Sequence, residues 1–250
     1  MIRKYMKYFI FDIETTGLPL KKYIDYKHVT NFPHIVQLSW GIYGDKGENL
    51  KFCNHIVKPD NYIIPEEAIK IHKITNELAN SGKYFKELIP ELKEDINSVD
   101  TLVCHNTEFD VTVLKSQMYL YNSKINLHNK NIICTMKESK DFCKIGPKMY
   151  NSYKYPKLEE LYSKLFNTKM ENAHDAKYDV MNLAKCFFEL QKLNLIDEHI
   201  FTFGKYQNEK IINVIEKDKK YINWLFKQKW FKHKYIKEYN YILSDIKNKS

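Results

Sequence analysis

Four carboxylates and one histidine are the residues in this chain whose types and spacing could do chemistry. Asp12 and Glu14 stand at positions i and i+2 of Tyr8-Phe-Ile-Phe-Asp-Ile-Glu. Side chains alternate across a strand, so this spacing places both acids on one face. Two carboxylates side by side repel each other, and each loses solvation on burial. A hard divalent cation relieves both costs. Mg²⁺ or Mn²⁺ takes oxygen ligands and keeps waters or phosphate oxygens in its shell. The same two acids at a solvated strand end would be ordinary turn residues.

Asp110 follows the run Thr101-Leu-Val-Cys-His through Asn106-Thr-Glu-Phe109. Thr107 reads as an N-cap, which puts Asp110 at the third helical position, where an acid also complements the helix dipole. Asn106 suits a turn. Asp179 lies five residues after His174. Asp175 reads as the cap of a long helix opened by Ala176, with His174 just ahead of it and Asp179 in its first turns. A helix N-terminus disfavours added positive charge, and a neutral imidazole is what a general base needs near neutral pH. Each placement also has a plain structural reading. Their joint occurrence, in order along one chain, carries the argument.

The elements that would position these residues are legible as hydrophobic patterns. Strand-like runs are Tyr8–Ile13, Ile35–Tyr43, Lys51–Val57, Thr101–His105 and Asn131–Thr135. Helical periodicity covers 66–72, 84–96, 108–121, 157–166 and 175–193. Three early strands followed by alternating strands and helices predict a mixed α/β sheet covered by helices. No internal repeat or Gly/Ser linker is seen. A seam is expected at Asn194–His199, dividing a domain of residues 1–196 from one of 200–250.

The chain has 250 residues and a formal net charge of +9. Residues 201–250 hold 12 lysines against five acids, a net of +7, mixed with Trp224, Phe226, Trp230, Phe231, Tyr235, Tyr239 and Tyr241. This composition suits a polyanion such as nucleic acid, and equally a solvated helix surface over a small aromatic core. Five widely spaced cysteines with no Cys-x-x-Cys pair argue against a disulfide scaffold or a zinc knuckle. Reduced thiols in an intracellular compartment, cytoplasm or nucleus, are the expectation. No apolar run is long enough to span a bilayer, and Asp12 interrupts the first apolar stretch too early for a signal-peptide core, so neither membrane insertion nor export is expected.

Asp12-Ile-Glu14-Thr-Thr-Gly-Leu18, Asn106-Thr-Glu-Phe-Asp110 and His174-Asp-Ala-Lys-Tyr-Asp179 resemble the three motifs of the DEDDh exonucleases. The histidine five residues before the last aspartate marks the h branch. Pro33-His-Ile-Val-Gln-Leu-Ser-Trp resembles the family's second strand. Ile71-His-Lys-Ile-Thr75 resembles its His-Gly-Ile-Thr turn, with Lys73 in place of the usual glycine. The likeness covers roughly residues 5–193.

The resemblance implies an RNase H-like fold, a mixed five-stranded sheet flanked by helices, with a small basic C-terminal domain. It implies 3′→5′ hydrolysis of terminal phosphodiesters to nucleoside 5′-monophosphates. By the matched motifs, Asp12, Glu14, Asp110 and Asp179 hold two Mg²⁺ or Mn²⁺ ions, and His174 is the general base. Thr15, Gly17 and Leu18 contact the terminal nucleotide, Leu18 as a wedge against the last base, and Asn106 and Phe109 join them at the substrate. The implied partner is the 3′ end of a nucleic acid, DNA ahead of RNA. A homodimer and a polymerase or repair partner stay open. Phe203-Gly-Lys-Tyr206 with Asp218, Tyr221 and Trp224-Leu225 resembles the C-terminal domain of exonuclease-X-type proteins, with Asn208 where a glycine is usual. The competing readings are a non-catalytic nucleic-acid-binding protein on the same fold and an oligoribonuclease-like enzyme for short RNA.

Overall fold

The computed structural model describes residues 6–127, 130–149, 152–196, 201–207 and 209–248. Strands β1 (Lys7–Thr15), β2 (Ile35–Gly44) and β3 (Asn49–Lys58) form an antiparallel meander. Helices α1 (Glu66–His72) and α2 (Asn76–Asn80) lead to the two-residue strand β4 (Lys83–Tyr84) and helix α3 (Phe85–Asn97). Then come β5 (Thr101–Cys104), α4 (Thr107–Leu120), β6 (Asn131–Cys134), and the short helices α5 (Thr135–Glu138) and α6 (Lys140–Cys143). A hairpin of β7 (Ile145–Met149) and β8 (Ser152–Lys154) precedes α7 (Leu158–Phe166) and α8 (Ala176–Lys192).

The main sheet has the order β4-β3-β2-β1-β5-β6. All five expected strands are present, and β4 adds a sixth by pairing parallel to the end of β3. β5 pairs parallel to β1, so the sheet is mixed. β1 and β2 are central and covered on both faces, which is why they read as nearly continuous apolar runs. Helix α8 packs against both. Its Val180, Leu183 and Phe187 meet Tyr8 and Ile10, the even-numbered face of β1, in one buried cluster. Asp12 and Glu14 continue that same face.

The two helices that carry acids start in different ways. Asp175 caps α8 as expected, its carboxylate accepting from Lys177 N at 3.0 Å. Helix α4 begins one residue earlier than the sequence suggested. Asn106 is the N-cap, because its carbonyl accepts from Phe109 N at 3.0 Å and Asp110 N at 2.9 Å. Thr107 is therefore inside the helix, and Asp110 occupies the fourth helical position rather than the third. The turn after α1 forms despite lacking glycine: Lys73 adopts φ 64° and donates its N–H to Ile69 O.

Residues 1–126 and 132–196 form one compact unit, and residues 127–131 group with 197–250 in a second. The described part of the second unit holds helices α9 (Ile211–Lys217), α10 (Lys219–Phe226), α11 (Lys229–Lys234) and α12 (Ile236–Asn248). Most of its aromatics are core: Phe201, Phe203, Tyr206, Phe231 and Tyr235 are buried together. Trp224 and Trp230 stay 48% and 40% exposed. Asp218 caps α10 and ties the motif residues together, accepting from Tyr206 Oη at 2.7 Å, Tyr221 N at 3.0 Å and Lys205 Nζ at 3.1 Å. Gly204 has φ +71°, and a Cβ there would stand 2.7 Å from the Tyr221 hydroxyl. The expected turn at Asn208, and most of the expected seam, lie outside the described residues.

Candidate active site

The sheet register brings the first two acids to one place. Asp12 pairs with Ser39 and Glu14 with Gln37, so polar residues of β2 flank the acids on the same face. The β1–β2 register shifts between Glu14 and Thr15, so regular pairing is interrupted immediately after the second acid. One ligand oxygen from each of Asp12, Glu14 and Asp179 lies within 4.8 Å of the others. Asp179 arrives on the first turn of α8 and Asp110 on the first turn of α4. Asp110 is outside that trio, but its charge acts on both Asp12 and Glu14.

Burial raises every carboxyl in this group, and repulsion by the other acids adds to it at Asp12 and Glu14. Asp12 is pushed well above the ordinary range by desolvation, then by Asp110, Asp179 and Glu14. Glu14 is pushed up to about 8 by desolvation and by Asp179 and Asp110. Asp110 and Asp179 rise to about 7 by burial, opposed by backbone hydrogen bonds. Those bonds are Asn106 N to Asp110 Oδ2 at 3.1 Å and His174 N to Asp179 Oδ2 at 3.0 Å. Asp179 Oδ1 is buried and has no hydrogen-bond partner among the described residues. Raised carboxyls around an orphaned buried oxygen fit a divalent cation, which would supply the missing partner and the missing positive charge.

His174 joins this group through its backbone. Its residue is exposed and sits at φ 67°, and among the described residues its imidazole forms no ion pair with the four acids. The segment after β1 is a tight turn. Thr15 Oγ1 donates to Gly17 O at 2.7 Å, and Gly17 adopts φ 149° with nothing within 4 Å of where a Cβ would stand. Leu18 is 79% exposed, free to meet a ligand. Asn106 and Phe109 are half-buried at the start of α4.

Sequence reasoning missed the polar link behind the acids. Gln37, buried in β2, donates to Asn54 Oδ1 at 2.9 Å and Asp175 Oδ1 at 2.8 Å, and accepts from Ala176 N at 3.2 Å. The available signal was two polar residues, Gln37 and Ser39, alternating within an otherwise apolar strand. Cys104, fully buried, acts on Asp110 and holds its carboxyl down against the effect of burial; its residue type gave no such signal.

Comparison with known proteins identifies the family. The family model described as "Exonuclease" matches residues 9–187, and one described as "Exodeoxyribonuclease X-like C-terminal" matches residues 201–229. Exodeoxyribonuclease 10 of Escherichia coli K12 is 25% identical over 196 residues, covering 72% of this chain and 79% of that protein. The structure of exonuclease X in complex with 5′ overhanging duplex DNA has TM-score 0.53 at 22% identity, over 76% of this chain and 95% of that one. The nuclease domain of 3′hExo, a DEDDh family member bound to rAMP, has TM-score 0.59 at 17% identity, over 77% and 95%. Among the described residues no helix is long and apolar enough to cross a membrane. With most of its first 190 residues matched to one family model, the chain belongs to the exonuclease family and is by that membership a 3′→5′ exonuclease.

Proposed function

We propose that this chain removes nucleotides from the 3′ end of DNA, with Asp12, Glu14, Asp110 and Asp179 holding two Mg²⁺ or Mn²⁺ ions and His174 acting as general base. The observation that carries the reading is the convergence of Asp12, Glu14 and Asp179 within 4.8 Å. Bound there, the ions would activate water and offset the charge developing on the phosphoryl group and the leaving 3′ oxygen. The protein's own part is positional. β1 fixes two carboxylates, and the first turns of α4 and α8 each aim one more. His174, on the exposed rim with its backbone tied to Asp179, takes the proton of the attacking water at an imidazole nitrogen. Thr15, Gly17 and Leu18 seat the terminal nucleotide: the turn leaves the Gly17 backbone open, and Leu18 offers an apolar wedge. Asn106 and Phe109 border the same seat.

We assign this chemistry to residues 1–196, and to residues 200–250 a sequence-independent grip on the nucleic acid backbone, supported by their net charge of +7. DNA is favoured by the kinship to exodeoxyribonuclease 10. The test gives the purified protein 5′-labelled DNA and RNA strands with Mg²⁺, Mn²⁺ or chelator. A DNA ladder shortening from the 3′ end, lost with chelator and in Asp12→Ala, supports the reading. His174→Ala should lower the rate by about 10²–10⁴-fold while divalent ions still bind. Full activity in Asp12→Ala overturns the site, and degradation confined to RNA overturns the substrate.

A further inference from the structure

We propose that Cys53, His55 and Glu91 form a second metal site, of the zinc class, that fastens helix α3 to strand β3. The three residues each offer one ligand atom, and these atoms lie within 4.8 Å of one another. The site is separate from the acids. Asp12 pairs with Ser39 and Ser39 with Asn54, whereas Phe11 pairs with Trp40 and Trp40 with Cys53. Cross-strand partners share a face, so Cys53 and His55, at i and i+2 on β3, look out from the sheet face opposite Asp12 and Glu14. Glu91 comes down on them from α3.

The donor set is one sulfur, one imidazole nitrogen and one carboxylate, a mixture that suits Zn²⁺ better than Mg²⁺. Cys53 Sγ is 3.4 Å from Glu91 Oε1, and His55 Nε2 is 3.6 Å from Glu91 Oε2. Ligand bonds of about 2.0–2.3 Å in a tetrahedron give edges of about 3.3–3.6 Å; the two separations, one to each Glu91 oxygen, are close to that range, and a small rotation of Glu91 would present one oxygen to both partners. His55 Nε2 is buried with no hydrogen-bond partner among the described residues. Cysteine ligates as the thiolate, so capture of the ion must release the Cys53 proton to solvent.

Two cations neighbour the trio: Lys83 acts on His55, and Lys51 holds Glu91 but has an alternative partner. Lys51 Nζ lies 3.0 Å from Glu91 Oε1 and 2.7 Å from Asp95 Oδ2. Asp95 can keep the ammonium when Glu91 turns to the metal. A fourth ligand, water or the second Glu91 oxygen, completes the shell.

Cobalt(II) is the probe, because a thiolate ligand gives it a near-ultraviolet charge-transfer band that an all-oxygen site lacks. The full chain, stripped of metal, is titrated with Co²⁺. The band should appear at one equivalent, vanish on adding one equivalent of Zn²⁺, and be lost in Cys53→Ser. His55→Ala and Glu91→Gln should each weaken Co²⁺ affinity by at least about tenfold with circular dichroism unchanged. These two variants carry the test if Cys53→Ser does not fold. Asp12→Ala should retain the band, which separates this site from the exonuclease centre. No band in the wild-type chain, a band that survives Cys53→Ser, or unchanged affinity in both other variants overturns the proposal.

Discussion

Gln37 Nε2 lies 2.8 Å from Asp175 Oδ1, a side-chain bond between residues 138 positions apart. Asp175 is also the cap of α8, and Gln37 Oε1 accepts the next N–H, that of Ala176. A strand residue registered opposite Glu14 therefore grips the first turn of the helix that carries Asp179. This link relates two of the acids to each other across the sheet.

Gln37→Leu keeps the volume and strands the partners. The buried Ala176 N–H loses its acceptor, and Asn54 and Asp175 each lose a donor. We expect a loss of about 1–3 kcal/mol, read as a lower urea midpoint at unchanged slope. The exonuclease rate should fall with it, since Asp179 rides on the loosened turn. A variant as stable as the wild type would mean that the Asp175 cap alone fixes the helix.

The raised carboxyls set the pH response of the metal-free chain. Their folded-state pKa values lie above the ordinary values of about 4, with Glu14 at about 8. Between those limits the folded state binds more protons than the unfolded state, so stability falls as pH rises from about 4 to about 8. Divalent ions compete for the same oxygens, so their stabilisation must grow over that window. Thermal melts in chelator should show a lower Tm at pH 8 than at pH 6. Added Mn²⁺ should raise Tm more at pH 8. A Tm in chelator that rises with pH, unaltered by metal, contradicts the cluster's electrostatics.

Lys73 stands at φ 64°, where an L-residue is held at a cost of roughly 1–2 kcal/mol. Its side chain is exposed. Lys73→Gly removes that strain and returns about 0.4–1 kcal/mol of it as unfolded-state entropy. The net expectation is a stabilisation of about 0.5–1 kcal/mol, with no gain from Lys73→Ala. Chemical denaturation of the two variants decides, and an unaltered or lower midpoint for the glycine variant would show that Lys73 contributes something other than its backbone angle.

What was legible follows from which forces are local. Five of the six sheet strands, and helices α1, α3, α4, α7 and α8, announce themselves because each must bury one face, and burial imposes a period. The α8 cap was readable because Asp175 stands immediately before the apolar repeat. The α4 start was misplaced by one residue because Asn106 and Thr107 are both able caps. It is the carbonyl of Asn106, not a side chain, that takes the first helical bonds. The β7–β8 hairpin gave no signal, since Ile145-Gly-Pro-Lys-Met has neither alternation nor a two-residue turn motif. The aromatics after residue 200 could not be sorted by composition. Phe231 and Tyr235 are buried while Trp224 and Trp230 are exposed, a difference set by which helix face packs inward. The gathering of Asp12, Glu14 and Asp179 is a long-range fact, legible only through motif order.

That sorting sharpens the expectation for the C-terminal unit. With the aromatic core turned inward, the surface of α10 and α11 carries mainly lysines, with Asn223, His233 and two tryptophans. Lys227, Lys229, Lys232 and Lys234 are exposed on or beside these helices. If they meet phosphates, each contact releases counterions, and the slope of log affinity against log salt changes by about 0.7–0.9 per contact. Replacing all four by glutamine should flatten that slope for single-stranded DNA by up to about 3. Binding should weaken alike for every sequence tested, because phosphate contacts carry no sequence information. The rate on a saturating short substrate should stay unchanged, since these lysines lie outside the segment that carries the four acids. An unaltered slope would move the charge from nucleic-acid contact to another role, and a lost rate at saturation would show that the C-terminal helices act in the chemical step itself.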